Sequence, residues 1–142
     1  KLLYASSSLF PEIFAQMYLI SYICSMKEDD AIRELYFSEE FWEFYSLQSE
    51  IEKKKFEYVF GIVRKEKVIT TKFIKHLVDT DLYEMRVSVG TNEYRTILFA
   101  INNSNIMLAT KILVLNAFLK KSSKDYNKEI KKAIKILGGF QL

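Results

Sequence analysis

Residues 82–100, LYEMRVSVGTNEYRTILFA, carry Glu84, Arg86 and Arg95 on two apolar segments joined by a short turn. Guanidinium groups present forked donors that match the non-bridging oxygens of a phosphate. A carboxylate beside them can accept a proton or orient an arginine, and position alone does not decide which. In the first segment Tyr83, Met85, Val87 and Val89 share one face, with Glu84, Arg86 and Ser88 on the other. Glu84 and Arg86 therefore project together. A plain reading is also open, since the wet face of an antiparallel sheet often carries charge.

The elements that must position these residues read as one α+β domain with a single sheet. Residues 31–37 are expected to form a strand, with Ser38 capping a helix that opens on Glu39 and Glu40. Phe41, Phe44 and Tyr45 give that helix an aromatic face. A second helix over about 51–65 places Phe56, Val59, Phe60 and Val63 at helical spacing. Strands are expected at 82–89, 94–102 and about 106–119, with turn residues at 90–92 and 102–105. They make an antiparallel meander, to which the N-terminal strand adds. The last helix, about 125–137, has Asp125 as its expected cap, an apolar stripe of Ile130, Ala133, Ile134 and Leu137, and Lys128, Lys131, Lys132 and Lys135 towards the other side.

Charge is divided unevenly along the 142 residues: 8 basic and 12 acidic groups precede residue 67, and 13 and 6 follow. A C-terminal half of that sign faces an anion or is simply solvated, and nucleic acid is the commonest large anion. The single cysteine, Cys24, excludes an intramolecular disulfide framework and fits a reducing cytoplasm. His76, expected at a loop or helix end, is the only histidine, so a histidine-cluster metal site is excluded and no cofactor is expected. Residues 9–24, LFPEIFAQMYLISYIC, read as a helix with Pro11 and Glu12 in its first turn. That run is short for a membrane span, and Ile23 spoils a lipoprotein-type cleavage site before Cys24. The expected division is an apolar extension over 1–25 and a functional domain over 26–142, with Met26 a candidate natural start.

The order strand, two helices, meander, helix is similar to that of the RelE and ParE toxin superfamily. LYEMR resembles the "glyElR" element of HigB-like toxins, EYRTILF resembles their "yRi" strand, and LNAFLKKSSKDY (115–126) resembles their "LhgFvKKtqktP". KEIKKAIKI follows in place of "ei..A", and FIKHL (73–77) stands where the family has a lysine-leucine element. The resemblance covers roughly residues 31–137. Where the HigB pattern has proline this chain has Tyr126, and the step from Lys120 to Tyr126 resembles the arginine-to-tyrosine step of RelE itself. The same comparison places Arg95 on a RelE arginine and Arg86 on a RelE lysine. Glu84 falls on another RelE lysine, with the charge reversed.

The resemblance implies the toxin of a type II toxin–antitoxin system that cuts mRNA, usually in the ribosomal A site, by attack of a ribose 2′-OH on the adjacent phosphate without a metal. Its partners would be mRNA and a cognate antitoxin, commonly a helix-turn-helix protein. Such a reaction needs help in removing the 2′-OH proton, positive groups for the phosphorane and help for the departing 5′-oxygen. Arg86 and Arg95, expected on an exposed polar face, suit charge stabilisation. Lys120 is a third cation or the acid, and Glu84 is the base or the partner of Arg86. Lys75 is the second base candidate, Tyr126 a stacking platform or a buried helix-start residue, and Lys121 and Lys124 contacts for RNA phosphate. Two rivals remain: a ParE-like gyrase inhibitor of the same fold, and a non-catalytic basic module that docks an acidic partner.

Overall fold

The computed structural model describes residues 31–140 and 142; the expected helix at 9–24 and the proposed boundary at Met26 lie outside them. The elements run β1 (Glu34–Phe37), α1 (Glu39–Ser46), α2 (Glu50–Lys65), β2 (Ile74–His76), β3 (Leu82–Val89), β4 (Asn92–Ala100), β5 (Lys111–Leu119) and α3 (Ser123–Gly138). The five strands make one open sheet in the order β1-β5-β4-β3-β2.

Local chemistry sets the helix starts. Ser38 Oγ accepts the Phe41 N–H at 3.0 Å, with Glu39 and Glu40 in the first turn, where the helix dipole favours negative charge. Ser49 and Glu52 form a reciprocal capping box on α2. Ser122, rather than the expected Asp125, caps α3: its side chain accepts the Asp125 N–H, which leaves Asp125 in the first turn. Gly90 takes φ +61° at the first central position of the two-residue β3–β4 turn, a conformation that glycine adopts at little cost.

Two apolar clusters lie on opposite faces of the sheet. The α1–α2 hairpin covers one, built on Phe37, Phe41, Phe56, Phe60, Met85, Val87, Leu98 and Val114. Helix α3 covers the smaller one, built on Leu82, Ile97, Leu113, Leu115, Phe118 and Ala133. Strand β5 serves both, so Ile112–Phe118 is buried throughout rather than alternating. A register shift between Ile97 and Leu98 pairs Ile97 with Asn116 and Leu98 with Val114. Leu115 is the extra residue of that bulge and joins the cluster under α3. Asn116 reaches the same helix, its Nδ2 donating to the Glu129 carbonyl at 3.2 Å and carboxylate at 3.0 Å.

Four expectations are corrected. The sheet is mixed, because β1 pairs with β5 in parallel, Glu34 opposite Lys111. The helical hairpin carries the chain away from β1 before the meander begins, so no tight turn forces an antiparallel pair. Strand β5 starts at Lys111, since the 106–109 stretch turns back, with Leu108 N–H and Ala109 N–H both donating to Asn105 O. Residues 74–76 form an edge strand, so His76 lies in a strand and not at a loop or helix end. Ile134 is exposed, and Ile136 joins the packed side of α3 instead.

Candidate functional site

Register alignment lays the charged residues out in rows on the α3 face. Lys75, Glu84, Ile97 and Asn116 are successive cross-strand partners, and Arg86, Arg95 and Phe118 form the next row. Directly opposed residues point to the same side of a sheet. The alternation expected in β3 therefore holds, with Met85 and Val87 facing the hairpin.

From Glu84 to Asn116 the first of these rows is buried, with Lys75 exposed at its edge. The Glu84 side chain is only 6% exposed. Its Oε2 lies 3.1 Å from Arg95 Nε and its Oε1 3.6 Å from Arg86 Nη2. The Tyr126 hydroxyl donates to Oε1 at 3.1 Å. The Arg95 contact is off the hydrogen-bonding line, so charge attraction rather than a directed bond holds it. Arg95 Nη1 also donates to Tyr94 O at 3.0 Å and lies 3.7 Å from Glu93 Oε2.

Tyr126 stands on the first turns of α3 and packs edge-on against Phe118, ring centroids 5.7 Å apart. Burial first, and then the Glu84 carboxylate beside it, push its phenol up to about 12. The phenol therefore keeps its proton and donates a hydrogen bond to Glu84 at neutral pH, and its ring is half-buried, neither fully in the core nor an open platform.

Arg95 does not lie on an exposed face as expected. Its side chain is 8% exposed and is spent on Glu84, Glu93 and a carbonyl. The reason is geometric: β4 is covered by α3 here, and Phe118 and Tyr126 close over the row. Arg86, one strand nearer the edge, keeps 32% of its side chain exposed, so it is the arginine an outside anion can reach. The structure brings together Glu84, Arg86, Arg95 and Tyr126. Lys75 is exposed on β2 opposite Glu84, and Lys120, Lys121 and Lys124 are exposed between β5 and the first turn of α3. Among the described residues none of these four lysines makes an ion pair of 4.0 Å or less.

Two residues at the site were absent from the sequence expectations. Asn116 is 1% exposed and holds α3 on the sheet. Glu93, two residues before Arg95, shares its face by simple alternation, a signal that period-2 reading of β4 would have found. Among the described residues no three of the His, Cys, Asp and Glu side chains gather as a metal site would require.

These features define an α+β protein with a mixed sheet that holds an arginine-rich cluster under its last helix. The chain belongs to the family of phage-derived proteins described as Gp49-like, whose model matches residues 42–137, more than half its length. That family is toxin-like, and the match does not single out a HigB branch. No curated protein and no solved structure matches the chain significantly.

Proposed function

We propose that this protein is the toxin of a type II toxin–antitoxin pair and an endoribonuclease that inhibits translation by cleaving mRNA, in keeping with its family and with the RelE-like arrangement of its elements. The observation that carries the reading is Arg86: a partly exposed guanidinium, braced from below by Glu84, on a face that also presents Lys75 and Lys120. The Glu84 charge, 3.6 Å from Arg86 Nη2, biases the guanidinium towards one position, so less ordering is left to do when charge develops on a phosphate. Glu84 fits the orienting role: its two oxygens already serve two arginines and a phenol.

In the reaction the 2′-OH attacks the neighbouring phosphorus, Arg86 stabilises the added negative charge, and the 5′-oxygen leaves. Lys120 lies one residue past β5, where its ammonium can protonate that oxygen. Lys121 and Lys124 extend the positive surface along the same end and would hold backbone phosphates. The partner of such a protein is an antitoxin that keeps it inactive.

The test is growth on induced expression, with 5′ ends of cellular RNA mapped before and after induction. Arrest together with new message ends is the expected result, and both vanish in Arg86→Ala while its circular dichroism stays unchanged. Arrest without new RNA ends would favour a gyrase-directed toxin of the same fold.

A further inference from the structure

Arg95 touches two carboxylates that stand in opposite situations. Glu84 is 6% exposed and shared among Arg95, Arg86 and Tyr126. Glu93 lies 3.7 Å from Arg95 Nη1 by its Oε2, takes a hydrogen bond from Ser88 Oγ, and keeps 49% of its side chain in the open.

A third row of the sheet contains it. Ser88 and Glu93 are register partners, and the Lys120 N–H donates to Glu93 O at 2.8 Å, which extends the β4–β5 ladder by one residue. Ser88, Glu93 and Lys120 are thus neighbours across three strands, one row beyond Arg86 and Arg95 and nearer to solvent. The inner row holds a buried carboxylate shared by two guanidiniums and a phenol, the middle row the guanidiniums, and the outer row an exposed carboxylate in register with an exposed lysine.

We propose that Glu93 is the general base of the RNA cleavage and that Glu84 is a positioning residue for Arg86; this rests on the ribonuclease reading above. In the step, a Glu93 oxygen takes the proton of the 2′-OH, and the freed electron pair forms the O2′–P bond. The P–O5′ bond breaks with its pair, and the 5′-oxygen takes a proton from the Lys120 ammonium. The products are a 2′,3′-cyclic phosphate and a 5′-hydroxyl, with Glu93 protonated and Lys120 neutral until solvent restores both. Glu84 is unsuited to the same task, because protonating it would leave the buried guanidinium of Arg95 without its closest counter-charge.

The experiment is single-turnover cleavage of a defined message, free and on programmed ribosomes, across a pH series. Wild type, Glu93→Gln, Glu93→Asp and Glu84→Gln are compared, and binding of the same message blocked by a 2′-O-methyl group is measured beside them. Glu93→Gln is expected to slow cleavage by roughly 10²–10⁴-fold, the usual range for a general base. Its binding and circular dichroism stay at wild-type levels, its rate loses the rise with pH on the acid side, and Glu93→Asp recovers part of the rate. A Glu93→Gln protein within a few-fold of wild type, or one that keeps the acid-side rise, overturns the assignment to Glu93 while leaving the ribonuclease intact. A wild-type protein that cuts no RNA in either setting removes the ribonuclease reading itself.

Discussion

Arg86 and Arg95 carry the same charge on facing strands, but their surroundings give their substitutions opposite consequences. Arg95→Ala leaves the buried Glu84 carboxylate without its nearest cation, and breaking such a pair costs on the order of 3–5 kcal/mol. Arg86→Ala removes a partly exposed partner, for which about 1 kcal/mol or less is the expected loss. Urea denaturation of the two variants checks this: only Arg95→Ala should show a large drop in midpoint. Arg86 is therefore the residue through which loss of toxicity reports on chemistry rather than on folding. Tyr126 supplies a pH signature. Its phenol is raised from 10.0 to about 12 in the native protein, so the native state holds the proton longer than the unfolded chain. The stabilisation it gives is complete below about pH 10 and is lost as the pH climbs from about 10 to about 12. Tyr126→Phe has no such proton to lose. The stability gap between wild type and Tyr126→Phe should be widest at about pH 9 and narrow towards about pH 12; an unchanging gap would mean that neither burial nor the Glu84 carboxylate raises the phenol in the native state.

Among the elements, the least visible support is Arg33, just before β1 and 2% exposed. Its guanidinium donates to the carbonyls of Val63, Glu66, Lys67, Ile106 and Met107 at 2.6–3.1 Å, joining the end of α2 to the turn before β5. Burial lowers its pKa, but every donor has an acceptor. Charged hydrogen bonds of this kind contribute roughly 1.5–3 kcal/mol each, so Arg33→Ala should cost at least about 3–5 kcal/mol. Arg33→Lys should recover little of it, because an ammonium cannot span five carbonyls in a plane. Thermal melting of both variants checks this: wild-type midpoints would contradict it. Arg33 also shows what the sequence could not reveal, since its partners lie 30 to 74 residues away and no local pattern announces them. The helix hairpin was legible because Ser38, Ser49 and the spacing of Phe56, Val59, Phe60 and Val63 are local signals. The direction of β1 was not, as four alternating residues pair equally well either way. The cluster of Glu84, Arg86 and Arg95 was legible from alternation and hairpin register, whereas the burial of Arg95 depends on α3, whose packing against Phe118 is a tertiary fact.

At the scale of the whole molecule, the basic half of the chain ends in α3, where Lys128, Lys131, Lys132 and Lys135 are all exposed. A partner that silences the protein should bring acidic segments to this helix or to Arg86, and its hold should weaken as salt rises while an apolar component persists. Co-expression with the neighbouring gene and capture across a salt series tests this: a complex at low salt that thins at high salt is expected, with rescue of growth. A chain starting at Met26 is expected to keep its fold and toxicity. Among the described residues both clusters of the sheet draw on residues 35–140, and Ile32 is tied to Arg64 by a backbone hydrogen bond of 2.8 Å. Aggregation and loss of toxicity on truncation would show that residues 1–25 belong to the core. The most direct measurement is the chemistry of the cut ends, read on a defined message free in excess chelator and, separately, on programmed ribosomes in magnesium. A 2′,3′-cyclic phosphate or 3′-phosphate upstream and a 5′-hydroxyl downstream, present with wild type and absent with Arg86→Ala, is the predicted result. A 3′-hydroxyl product that requires magnesium would contradict the mechanism.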